Sequence, residues 1–113
     1  MKFDPVEFYK LAGDLYKQPN VGERELRTAL GRAYYAAFLA ARDNAGITTT
    51  SDVHSATVRH YLSNGQTEIG NRLEDMRIAR SRADYELTSN VGKSDVGRIL
   101  KLSEAVLKKL GSI

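Results

Sequence analysis

One arginine interrupts an apolar stripe, and that is where chemistry would concentrate. Between residues 68 and 87, Ile69, Leu73, Met76, Ala83 and Leu87 recur at helical spacing, and Arg80 falls among them. Asp84 follows four residues later, turned by roughly 40° on a helix, a spacing at which Arg and Asp can pair. On a solvated face such a pair contributes little. Partly buried, neither charge can lose the other cheaply. Two readings stand together: a satisfied ion pair tying helices, or a functional site. Tyr85 adjoins the pair, but on a straight helix it points about 140° away from Arg80.

The other candidates are scattered. His54 lies on the apolar face of a short segment, as a packed histidine or as a group reaching Arg80. His60 turns the other way and does not share a face with His54, which speaks against a metal site built from the two. Tyr34 and Tyr35 read as core or interface residues more readily than as base-stacking platforms. Leu87 to Ser94 ends like a phosphate-binding loop in Gly92-Lys93-Ser94, but Leu87 stands where the first glycine belongs and no strand pattern precedes it. Arg72, Arg77 and Arg82 could meet phosphates alongside Arg80, but Glu74, Asp75 and Glu86 interrupt them, as on a solvated charged face.

These residues need elements to hold them, and the punctuation predicts helices. Asp4-Pro5-Val6-Glu7 sets a cap, a proline at the first helical position and an early acid, predicting a helix to about Lys17 with Val6, Phe8 or Tyr9, Leu11 or Ala12, and Leu15 inward. A second helix is expected from Val21 to Ala45, ending at Gly46. Leu26, Leu30, Ala33, Tyr34, Ala37 and Ala41 share one face, with Tyr35 and Leu39 roughly opposite, so this helix should be central or covered by a second subunit. Ser51 should cap a short helix to Leu62, with His54, Val58, Tyr61 and Leu62 on one face. Helices are then expected over 68–87 and from a Ser94 cap to Leu110, with Val96, Leu100, Leu107 and Leu110 inward. No strand pattern appears. The fold class is all-α: an up-and-down bundle of four main helices plus a short extra one, in a single domain over 1–113.

Composition narrows the function classes. With 113 residues, 42% hydrophobic and 27% charged, the chain has the make-up of one ordinary globular domain. Seventeen basic residues against fourteen acidic ones permit a nucleic-acid partner without demanding it. The absence of cysteine excludes disulfides and thiolate chemistry. No secretory leader pattern and no membrane-length apolar run are seen, so a cytoplasmic protein is expected. No cofactor and no metal are expected.

The runs Glu25 to Phe38, with Arg32-Ala33-Tyr34-Tyr35-Ala36-Ala37-Phe38 at its end, His54 to Val58, and Leu73-x-x-Met76-x-x-x-Arg80-x-x-Ala83-Asp84-Tyr85 resemble HEPN domains. The resemblance spans roughly residues 5–108. It implies a small helical bundle, usually a homodimer. It also implies either a metal-independent ribonuclease or a non-catalytic partner, often of a minimal nucleotidyltransferase in toxin–antitoxin or defence systems. The ribonuclease members carry Arg, four to six residues, then His. Here the matching positions are Arg80 and Tyr85, which would be the catalytic residues of a ribonuclease. Free tyrosine titrates near ~10, whereas histidine exchanges protons near neutrality. A non-cleaving module is therefore the leading expectation, binding RNA, a nucleotide or a protein partner through Arg80, Asp84, Tyr85, His54 and Tyr34. The alternative is a ribonuclease toxin with a degenerate site, using Arg80 with Tyr85 or with a recruited His54.

Overall fold

The computed structural model describes residues 2–113, so the first residue of the expected 1–113 domain lies outside the described residues. Five helices follow in order: α1 (Val6–Tyr16), α2 (Glu23–Ala45), α3 (Val53–Ser63), α4 (Thr67–Tyr85) and α5 (Lys93–Lys109). No strand occurs among the described residues, and the architecture is an all-α bundle. α1 and α3 are equally short, at 11 residues each.

Local chemistry sets the ends. Asp4 Oδ1 accepts the Val6 N–H at 3.0 Å, so the acid before Pro5 caps α1. Gly46 ends α2 in the left-handed region (φ 70°), which costs a residue without Cβ nothing. Three expectations are corrected. Ser51 does not cap α3; Asp52, itself left-handed (φ 51°), precedes the helix with no side-chain cap bond. Ser94 does not cap α5; Gly92 sits at that position and Asp95 reaches back to its N–H at 2.9 Å. α4 stops at Tyr85, two residues short of Leu87, which is 86% exposed rather than inward.

α2 is the common wall of the bundle, packed against all four other helices. Leu26, Leu30, Ala33, Tyr34, Ala37 and Ala41 are all buried as the periodicity predicts, and so are Ala29, Ala36 and Ala40 beside them. Alanines let neighbouring helices approach closely, and one continuous apolar cluster draws on all five helices. Two buried hydroxyls fix the packing: Tyr61 Oη donates to the Ala41 carbonyl at 2.6 Å and Ser103 Oγ to the Ala33 carbonyl at 2.8 Å. They pin α3 and α5 to the same wall. α3 and α4 meet closely where Gly70 has no side chain; a Cβ there would lie 2.7 Å from Leu62 Cδ2. Leu62, expected on the inward face, is 40% exposed as it crosses this glycine.

Among the described residues no helix is long and apolar enough to cross a membrane.

Candidate functional site

α2, α3 and α4 converge on Tyr34. Its ring is buried in α2, stacked on Phe38 at 5.6 Å between centroids. Its hydroxyl lies 2.6 Å from Nδ1 of His54 on α3, and His54 Nε2 lies 3.2 Å from Glu74 Oε2 on α4. Glu74 Oε1 in turn accepts from Arg77 Nη2 at 2.8 Å. A polar chain thus runs Tyr34–His54–Glu74–Arg77 across three helices.

The protonation states follow from the surroundings. Burial pushes the Tyr34 phenol far above its ordinary range, more than the nearby Arg80 charge lowers it. Burial also holds His54 below its ordinary value, against the opposing pull of Glu74. The Arg77 hydrogen bond keeps Glu74 low, so it is ionised. Tyr34 is therefore the donor to a neutral imidazole, and Nε2–H donates to the Glu74 carboxylate. His54, 15% exposed, has both ring nitrogens engaged.

Arg80 approaches the same tyrosine from α4. Its guanidinium carbon lies 6.0 Å from the Tyr34 ring centroid and 5.0 Å from that of Tyr35. Arg32 lies 5.2 Å from the Tyr35 ring and 5.1 Å from that of Phe8 on α1. Two arginines thus share one ring, each contact being worth ~0.5–1 kcal/mol at such half-open sites. The expected Arg80–Asp84 pair is present, with Nε 2.8 Å from Oδ2. The N–H does not aim at that oxygen, so Nε is buried without an aligned acceptor and the pair is held by charge alone.

Of the expected site residues, the structure gathers Arg80, Asp84, Tyr34 and His54 around the inner side of α4. Tyr85 is not among them: it is 74% exposed at the last residue of α4. The histidine meets Tyr34, the ring that Arg80 also faces. The phosphate-loop-like stretch is otherwise employed. Its Gly92 N–H is taken by Asp95, and Lys93 Nζ lies 4.6 Å over the Tyr16 ring. Among the described residues no group of three His, Asp or Glu side chains could hold a metal ion.

Sequence reasoning missed the structural roles of Glu74, Arg77, Arg32 and Arg27. Glu74 and Arg77 stood at pairing distance on one helix, but only the fold brings His54 to them. Arg27 leaves α2 to donate from Nη1 to the Ala83 carbonyl at 2.5 Å and to the Glu86 carbonyl at 3.3 Å, and from Nη2 to the Ser89 carbonyl. It satisfies the orphan carbonyls at the C-terminus of α4 and orders the loop beyond. A cavity of about 130 Å³ lies beside that loop over Leu30, Ala79, Ala83 and Ile99, with Arg82 and Arg98 at its edge.

No protein-family model, curated protein or solved structure matches the chain. The assignment of function therefore rests on the geometry above and on the motifs read from the sequence.

Proposed function

We propose that the chain is a HEPN-like binding module that works as a homodimer and engages RNA or a nucleotide without cutting it, as the partner of a nucleotidyltransferase in a toxin–antitoxin or defence-type system. One observation carries the reading: Arg80 sits against two tyrosine rings, and the one carboxylate beside it, Asp84, is tied up by the Arg80 charge rather than free to take a proton. Metal-free cleavage needs a base for the 2′-hydroxyl as well as a cation for the phosphate. His54 has its Nδ1 occupied by the Tyr34 hydroxyl, and Tyr85 projects from another side of α4. What remains is a cation-and-ring surface of Arg32, Tyr35 and Arg80, suited to a phosphate and a stacked base.

The ribonuclease reading keeps one supporting observation, the shared contact of His54 and Arg80 with Tyr34. Incubation with total RNA separates the two. Intact RNA, together with single-strand binding that Arg80→Ala weakens about tenfold, supports the binding module. Cleavage by the wild type that disappears in Arg80→Ala and in His54→Ala overturns it in favour of the enzyme.

A further inference from the structure

The outward face of α4 has the pattern of a surface made to meet itself. Asn71, Asp75, Ile78, Arg82 and Tyr85 are all exposed and fall within roughly 80° of arc at ~100° per residue. Ile78 is 49% exposed and Tyr85 74%, and Leu87 follows just past the helix end at 86%. These are large, exposed groups on and just beyond a face that no other helix covers among the described residues. Their charged neighbours are unevenly satisfied. Asp75 has no basic side chain within ion-pair distance among the described residues. Arg82 holds only Glu86, at 3.4 Å with both side chains more than half exposed. Arg98 of α5, exposed and with no acidic side chain within ion-pair distance among the described residues, lines a groove shared with them. Between the two helices a shallow groove of about 200 Å³ is lined by Asp75, Ile78, Ala79, Arg82 and Arg98.

We propose that α4 of one copy packs antiparallel on α4 of a second copy about a two-fold axis between Ile78 and Ala79. The register is dictated by charge. Asp75 and Arg82 lie the same distance either side of that axis, so Asp75 of each copy faces Arg82 of the other. An isologous contact requires this reciprocity, residue for residue. The two ion pairs bracket the apolar centre, where Ile78 of each copy seats in the groove between α4 and α5 of the other. Seven residues separate the charges, about 10 Å of helix, enough for one apolar side chain from each copy between them. A foreign partner would need an acid, an apolar knob and a base in this same spacing; a second copy carries them by construction. Tyr85 and Leu87 extend the apolar contact toward the ends, and Arg82 exchanges a solvent-screened intrahelical pair for one at a covered interface.

This inference rests on the homodimer in the proposed function and adds its surface and register. Sedimentation of the full chain at tens of micromolar tests it, with circular dichroism to verify helix content. The wild type should sediment as a dimer, and Ile78→Glu, at an already exposed position, as a folded monomer. Asp75→Arg and Arg82→Asp should each weaken the dimer at least tenfold, and the two substitutions combined should restore it. A wild-type dimer that Ile78→Glu leaves intact overturns this surface while leaving the dimer standing. Failure of the combined charge exchange to restore association overturns the register. A monomeric wild type overturns both surface and dimer, and RNA binding, measured separately, reports on the rest of the functional reading.

Discussion

The Tyr34 hydroxyl donates to His54 Nδ1 at 2.6 Å, and this bond closes α2 onto α3 at the point where α4 delivers Glu74 to the other side of the imidazole. The histidine is a neutral linker between a phenol and a carboxylate, and its replacement has a calculable sign. Because burial holds its pKa below the ordinary ~6.5, the unfolded chain takes up a proton at a pH where the folded chain does not. Glu74 moves the imidazole the other way but does not overcome burial; the Arg77 charge lowers it further and the Asp52 charge raises it. Stability should therefore fall as the pH drops from about 6.5 toward the folded-state pKa. Denaturant titrations between pH 5 and 7 on the wild type and His54→Gln test this. Identical slopes in the two proteins would show that His54 is not the group responsible.

Removing His54 outright has a second effect. His54→Ala leaves the Tyr34 hydroxyl buried without its acceptor, a loss of ~1–3 kcal/mol. A melting temperature unchanged by His54→Ala would mean that water replaces the imidazole at no cost. Tyr34→Phe removes the donor and leaves His54 Nδ1, on a side chain only 15% exposed, without its partner, so its cost should be of similar size.

Arg27 binds three carbonyls at the end of α4 with one guanidinium, and its side chain is 16% exposed. Arg27→Ala should cost ~1–3 kcal/mol and speed amide exchange through residues 83–91 before the rest of the bundle opens. Arg27→Lys should recover only part, since an ammonium cannot reproduce the planar fork. Full recovery by lysine would mean that charge at the helix terminus, rather than the fork, does the holding.

Gly31 is helical and buried, but a Cβ built there meets nothing within 4 Å. Gly31→Ala should therefore raise stability by ~0.5–1 kcal/mol through helix propensity alone. Gly70→Ala provides the contrast: the same gain is offset by displacement of Leu62, whose Cγ would stand 2.9 Å away. Chemical denaturation of the two variants should give a clear gain for the first and a smaller one or a loss for the second.

The helices were readable because their signals are local. Asp4-Pro5, Gly46 and the apolar spacing of α2 each act within one or two turns, and the structure keeps all three. The inward positions of α4 were correct through Ala83 and failed at Leu87, where Arg27, from 56 residues earlier in the chain, takes the Ala83 carbonyl and the chain turns away. Ser51 and Ser94 looked like caps by residue type, but α3 starts after a left-handed Asp52 with no side-chain cap bond, and at α5 Asp95 reaches back to the Gly92 N–H instead. The Arg80–Asp84 pair was visible because it spans one turn. The Tyr34–His54–Glu74 chain was not, because its partners lie 20 residues apart at each step and share no period. Arg32 drew notice only as part of a motif, and its place on the Tyr35 ring depends on how α1 and α4 flank α2.

The hydroxyl that ties α5 to α2 also sets a timetable for synthesis. Ser103 reaches the Ala33 carbonyl across 70 residues of sequence, and Tyr61 reaches Ala41 across 20. As the chain leaves the ribosome, α2 can recruit α1 and α3 early, yet its alanine-lined flank waits for α5 to be made. A nascent chain arrested before residue 96 would display that flank, Leu30 and Ala33 included, to holdase chaperones. Ribosome-bound intermediates stalled on either side of α5 should therefore differ sharply in chaperone occupancy.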